Sequence, residues 1–260
     1  MANTMLIAAI AIFVYVNLVH LLALCKRDNG IMDAAWGLGF ILVTLFTLGF
    51  AKGLATRRLL LGALVLVWGG RLSLHILIRN AGRAGEDFRY RNWRETWGRW
   101  FYVRSYFQIY MLQGAVMFLV STPILLVNAR CGGPLNLLDA LGIAVWLLGF
   151  LFEAVGDFQL LKFMQNPANK GRVMRHGVWR FTRHPNYFGE ATLWWGCALI
   201  ALNVPGGWWA LISPVLIDFL LLRVSGIPML EAKYKDRPEY QEYQRTTSAF
   251  LPWFPRKPQP

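Results

Sequence analysis

The chain is poor in the patterns on which most soluble enzymes and secreted domains rely. Its three cysteines, Cys25, Cys131 and Cys197, lie far apart and form no C-x-x-C pair. That argues against a disulfide framework and against a metal site, and reduced thiols buried in lipid are the expectation. There is no N-x-S/T sequon, no sustained internal repeat and no low-complexity stretch. No G-x-G-x-x-G follows a strand, and neither a Walker A loop nor an H-E-x-x-H helix occurs, so any nucleotide must use a helical pocket instead of those cradles. Acids are scarce, 14 against 27 Lys and Arg. What is plentiful is apolar: 56% of the residues are hydrophobic and the mean hydropathy is +0.38, well away from a soluble domain.

Charge-poor apolar runs occupy about residues 4–24, 31–51, 57–78, 105–127, 137–161, 188–203 and 207–224. Their length is that of membrane-crossing helices, the sixth being short. The first lacks a basic lead and a small-x-small cleavage site before Lys26, so it reads as a retained helix and not a signal peptide. The connections on one side hold 22 of the Lys and Arg residues and those on the other hold four. The positive-inside rule then predicts an all-α integral membrane protein of seven spans, N-terminus outside and C-terminus cytosolic. The net charge of +13 is explained by topology, so nucleic-acid binding is not inferred. The chain reads as one domain over 1–260, with residues 1–128 mainly a substrate cavity and 129–260 mainly a cofactor-binding half. Nothing in it calls for an obligate protein partner.

Polar residues inside or beside the spans are the candidates for function, because burying them in lipid costs free energy. Asp33 opens the second span; Arg71 and His75, four residues apart, share a face of the third; Glu153 and Asp157 share a face of the fifth. An intramembrane arginine needs an acid, and Asp33 or Glu153 is the expected partner of Arg71. His20 and Asp218 are read as packing. The third connection carries Asn80, Arg83 and Glu86-Asp87-Phe88-Arg89-Tyr90, then Trp93, Trp97 and Trp100 at helical spacing among arginines, which predicts a helix lying in the interface. The fifth holds Lys162, Arg172, Arg180 and then Arg183-His184-Pro185-Asn186-Tyr187 with Gly189-Glu190. Pro and Asn favour a helix start there, whose free N–H groups and dipole suit a phosphate.

As an ordered set, these residues resemble the steroid 5α-reductase family over roughly residues 68–255. The resemblance rests on Asn80 and Arg83, Leu112 to Gly114, Glu153 and Asp157, Arg172, Asn186-Tyr187 with Gly189-Glu190, and Tyr240, Tyr243, Leu251, Pro252 and Trp253. It implies a seven-helix membrane reductase of a bacterial inner membrane, NADPH held from the cytosolic side, and reduction of an enone C=C bond in a lipid-like substrate entering from the bilayer, such as a 3-oxo-Δ4 steroid. The expected catalytic residues are Asp33, as carbonyl donor or its orienter, then Arg71 and His75. Cofactor contacts are expected from Asn80, Arg83, Glu153, Asp157, Lys162, Arg172, Arg180, Arg183, His184, Asn186, Tyr187, Glu190, Glu231, Tyr240 and Tyr243. The chain departs from that family in having no Gln-Glu pair in the second span and no Tyr in the third. The alternative is a membrane methyltransferase of the isoprenylcysteine carboxyl methyltransferase type, using S-adenosylmethionine. Its Arg-His-Pro-x-Tyr-x-Gly turn and following acid are similar to residues 183–189 and Glu231 here.

Overall fold

The computed structural model describes residues 1–81, 85–130 and 132–256, so Arg83 and Cys131 lie outside the described residues. Every regular element among the described residues is helical. Their contacts divide the chain into two compact units, Met1–Asn136 with Ala201–Ile212, and Leu137–Ile200 with Ser213–Pro260.

In the first unit, α1 (Ala2–Lys26) ends at Arg27, whose left-handed backbone (φ 53°) turns the chain back toward α2 (Ile31–Gly49). The Asp28 carboxylate braces this reversal by accepting the Gly30 N–H at 2.8 Å. α2 and α3 (Thr56–Asn80) touch backbone to backbone: a β-carbon on Gly37 would stand 2.5 Å from the Gly69 carbonyl oxygen. The short amphipathic α4 (Phe88–Trp97) follows, and the chain then runs through α5 (Phe101–Ser105) and a π-helical turn (Tyr106–Met111) into α6 (Leu112–Val120). A 48° bend separates α6 from α7 (Thr122–Arg130). Pro123 lies in the first turn of α7, where its missing N–H breaks no helical bond. Buried Arg57 and Arg58 fasten this end of the unit, Arg57 to the carbonyls of Gly132 and Pro134 and Arg58 to those of Lys52 and Gly53.

The second unit is built on α8 (Leu137–Gln165) and α9 (Pro185–Ala201). Glycines spaced seven apart, Gly142, Gly149 and Gly156, face Gly196, Gly189 and Pro185. A β-carbon on Gly149 would stand 2.4 Å from the Leu193 nitrogen, so the two helices meet where only glycine fits. α9 begins at Pro185, where the sequence predicts a helix start and where proline's lost donor costs nothing. α10 (Ile212–Phe219), a π turn (Leu220–Val224), α11 (Ile227–Tyr234) and α12 (Pro238–Thr246) complete the order.

Among the described residues, five helical segments are long and apolar enough to cross a membrane: Ala2–Lys26, Ile31–Gly49, Thr56–Asn80, Leu137–Gln165 and Gly207–Tyr234. The bent path Arg89–Val120 with Thr122–Arg130 makes six if counted as one span. α9, at 17 residues, is shorter than the roughly 20 that a span needs.

Candidate functional site

Among the described residues, each unit holds a cluster of bonded polar side chains centred on a carboxylate. In the first, α4 folds back over the start of α2 and brings two donors to Asp33. Arg89 Nη2 stands 2.5 Å from Asp33 Oδ2, and the Tyr90 hydroxyl donates to Asp33 Oδ1 at 2.8 Å. Asp87 caps α4 by accepting the Arg89 N–H at 3.0 Å, and it also accepts Arg89 Nε at 3.0 Å. One residue earlier, Glu86 joins three elements. It accepts the backbone and side-chain N–H of Asn29 at 3.0 and 2.9 Å and takes both Nε and Nη2 of Arg94 at 3.2 and 3.1 Å. The Tyr110 hydroxyl, from the π turn, donates to Asn29 Oδ1 at 2.7 Å. Burial pushes the Glu86 carboxyl up, but the bonds from Arg94 and Asn29 outweigh this and hold it below its usual value. Asp33 thus accepts from two donors, one of them cationic. Arg89 is a cation that meets Asp33, because α4 returns to the mouth of α2.

In the second unit the cluster centres on Glu231. Arg183 donates to its Oε1 from Nε at 2.9 Å and from Nη2 at 2.8 Å, and His184 Nε2 lies 3.1 Å from the same oxygen. Gln244 donates to Oε2 at 2.9 Å. Arg183 also donates from Nη1 to the carbonyls of Gln244 and Thr247 at 3.1 and 2.5 Å, so this buried guanidinium secures the end of α12 as well. The tail lies along the same turn: Arg183 N–H donates to Ser248 O, and Thr182 Oγ1 to Phe250 O. The Tyr243 hydroxyl donates to Trp179 O, while the buried Tyr240 hydroxyl stands in the field of Glu231 and Arg183 without a hydrogen bond of good geometry. Burial lowers the His184 imidazole below its ordinary value, with Glu231 pulling the other way. A neutral ring donating through Nε2 to Glu231 fits that environment. Tyr187 stacks on it at 5.4 Å, with ring planes 6° apart.

Around this cluster Glu153 and Asp157 are buried on α8, with Asn186 Nδ2 donating to Asp157 Oδ1 at 3.3 Å. Lys170, Arg172, His176 and Arg180 are exposed on the loop, and among the described residues none has a carboxylate partner. Arg175 differs, since Glu239 and Glu242 hold it. Lys162 is exposed near the end of α8 with its ammonium over the Phe158 ring, and Glu190 is half-buried on α9. Arg71 and His75 are half-buried one turn apart on α3, and Asn80 is the last residue of that helix. Sequence reasoning singled out the Glu86–Tyr90 segment but not its partners, and it missed Asn29, Arg94, Tyr110 and Gln244 as members of these networks. The signal available was the Glu86–Tyr90 motif itself, whose partners lie 56 and 57 residues away.

Compared with known proteins, the chain matches over residues 19–247 the family described as "Protein of unknown function (DUF1295)". The chain belongs to that family. Among curated proteins it is 24% identical over 222 residues to an uncharacterized protein of Schizosaccharomyces pombe, covering 74% of this chain and 63% of the relative. It is 34% identical over 70 residues to 3-oxo-5-alpha-steroid 4-dehydrogenase 1 of Bos taurus, which is 26% of each chain. The human protein of the same name is 33% identical over 67 residues, 25% of this chain and 26% of that protein. The chain thus spans under two thirds of the length of the yeast relative and about a quarter of the dehydrogenases. No solved structure matches it.

Proposed function

We propose that this DUF1295 member is a membrane reductase that uses NADPH to reduce the C=C bond of a hydrophobic enone, a 3-oxo-Δ4 steroid or a comparable lipid. The observation that carries the reading is Asp33, a carboxylate at the mouth of an apolar helix, fixed by Arg89 and Tyr90. The local likeness to 3-oxo-5-alpha-steroid 4-dehydrogenases supports the same class. Addition of a hydride at the β-carbon gives an enolate with negative charge on the carbonyl oxygen, and a preorganised donor there lowers the barrier. A proton taken up from water at the α-carbon completes the saturated ketone. Asp33 acts as the orienter. The Tyr90 hydroxyl proton is engaged by Asp33, so Tyr90 fixes that carboxylate together with Arg89. Arg71 and His75 are the candidates to give a hydrogen bond to the oxygen.

The second unit's residues fit a phosphate-bearing nucleotide. Lys170, Arg172 and Arg180 are cations with no internal partner among the described residues, and the start of α9 adds backbone donors. Glu153, Asp157 and Glu190 suit ribose hydroxyls or the nicotinamide amide. Arg183 and His184 act through Glu231, holding the turn and the tail in place, and Tyr187, Tyr240 and Tyr243 pack that wall. When bound, NADPH supplies the hydride. Seven spans are reached by adding the bent path and a tilted α9 to the five long segments, with the C-terminus and cofactor side cytosolic and the substrate entering from the bilayer.

The methyltransferase reading keeps one supporting observation: Glu231 meets Arg183 and His184, the residues of the turn that such enzymes share. Titrating the detergent-purified chain with NADPH, NADH and S-adenosylmethionine separates the two. The reductase reading expects NADPH to bind more tightly than NADH, because a basic side chain grips the 2′-phosphate, and no response to S-adenosylmethionine. Binding of S-adenosylmethionine alone would replace it with the methyltransferase.

A further inference from the structure

We propose that the outward face of α4 and the turn beyond it form a docking surface for anionic phospholipid headgroups, with Arg91, Arg99 and Arg104 as its cations. The helix has two distinct faces. Arg89 and Tyr90 turn inward to Asp33, Arg94 to Glu86, and Trp93 stacks on Trp97 at 5.2 Å. At the opposite positions Arg91, Asn92, Glu95 and Thr96 are exposed, as are Arg99, Trp100, Tyr102 and Arg104 in the turn that follows. Among the described residues none of these three arginines has a carboxylate partner, and Glu95 is the one acid on the face. The arginines of the inner face are each ion-paired, so the free charge is confined to one side of the helix. The Asn29–Glu86 bonds bring the exposed Lys26 and Arg27 to this same end of the unit.

Depth selects the partner. The segment runs from α4 through the 3-10 turn Gly98–Trp100 and α5 into the π turn and α6, part of a path apolar enough to cross a membrane. Trp100 and Tyr102, 53% and 59% exposed, stand among the arginines, and such rings settle at headgroup level. Basic clusters next to a span concentrate anionic lipid, each Lys or Arg adding about fivefold. Zwitterionic headgroups give no net charge for three unpaired guanidiniums to meet. An acidic soluble protein would leave Trp100 and Tyr102 without an apolar layer to enter. Because α4 also carries Arg89 and Tyr90, a headgroup bound on its outer face braces the helix that holds Asp33.

The test uses nanodiscs of phosphatidylcholine containing a minor fraction of brominated phosphatidylglycerol, matched to a set with the same fraction of brominated phosphatidylcholine. Quenching at Trp100 is read as the difference between the wild type and W100F. The expected result is severalfold stronger quenching by the phosphatidylglycerol. That excess should vanish in R91Q/R99Q/R104Q and at high salt and persist in R91K/R99K/R104K. Equal quenching by the two lipids, or an excess that survives both glutamines and salt, overturns the proposal. If the glutamine variant does not insert, the salt titration of the wild type and the lysine variant decide it. No turnover is measured, so the outcome is independent of the reductase reading.

Discussion

At the residue scale, the two carboxylates Asp33 and Glu231 are proposed to have opposite duties. In the proposed mechanism Asp33 orients the groups around the substrate carbonyl, and Asp33→Asn should lower turnover by about 10²–10³-fold while leaving nucleotide affinity nearly unchanged. Steady-state kinetics set beside an NADPH titration checks both halves, and an unimpaired turnover number removes Asp33 from the mechanism. Glu231 by contrast is proposed to hold the turn and the tail together. Its loss strands the buried Arg183 guanidinium, so Glu231→Ala should destabilise the fold by about 3 kcal/mol or more, read as a lower unfolding temperature in detergent. His184 adds a pH dependence whose sign follows from burial. Its folded value lies below its unfolded one, so the unfolded chain binds the extra proton. Stability should therefore fall as pH drops through roughly 6.5. In His184→Gln the decline over that window should shrink, and an unchanged decline would assign it to other groups.

At the element scale, the helices were readable and their mutual contacts were not. The apolar runs at 4–24, 31–51, 57–78 and 137–161 reappear as α1, α2, α3 and α8 because a span must be apolar for about 20 residues, a signal that lies within one segment. The start at Pro185 was equally legible, since proline reports on its own backbone. The Asp33–Arg89 pair was not, because it depends on α4 turning back over α2, and nothing local to either residue encodes that return. The same holds for Gln244 reaching Glu231 from α12. The spacing of Gly142, Gly149 and Gly156 is visible in the sequence, but its meaning emerges only against Gly189 and Gly196. That seam makes a sharp prediction. In Gly189→Leu the added side chain starts 2.4 Å from the Glu153 nitrogen and 2.5 Å from the Gly149 carbonyl oxygen, both backbone atoms that cannot swing aside. The cost should exceed the roughly 1–3 kcal/mol of ordinary overpacking. Loss of folded protein by size-exclusion chromatography is the expected readout, and a normally folded Gly189→Leu protein would contradict the backbone contact.

At the scale of the whole molecule, family membership over residues 19–247 and helices long enough to cross a bilayer are the firm ground. The proposed topology adds that the chain ends in the cytosol. A cysteine substituted for Arg256 should be labelled by an impermeant maleimide only from the cytosolic face, and one substituted for Asn3 only from the opposite face. The central claim is chemical, and isotope transfer tests it most directly. The chain, reconstituted in lipid, is given NADPH carrying deuterium at the transferable position of the nicotinamide together with a panel of lipid enones that includes 3-oxo-Δ4 steroids. The account predicts a saturated ketone with one deuterium at the former β-carbon, formed about 10²–10³-fold more slowly by Asp33→Asn. Bound NADPH with no deuterated product from any enone in the panel would contradict it.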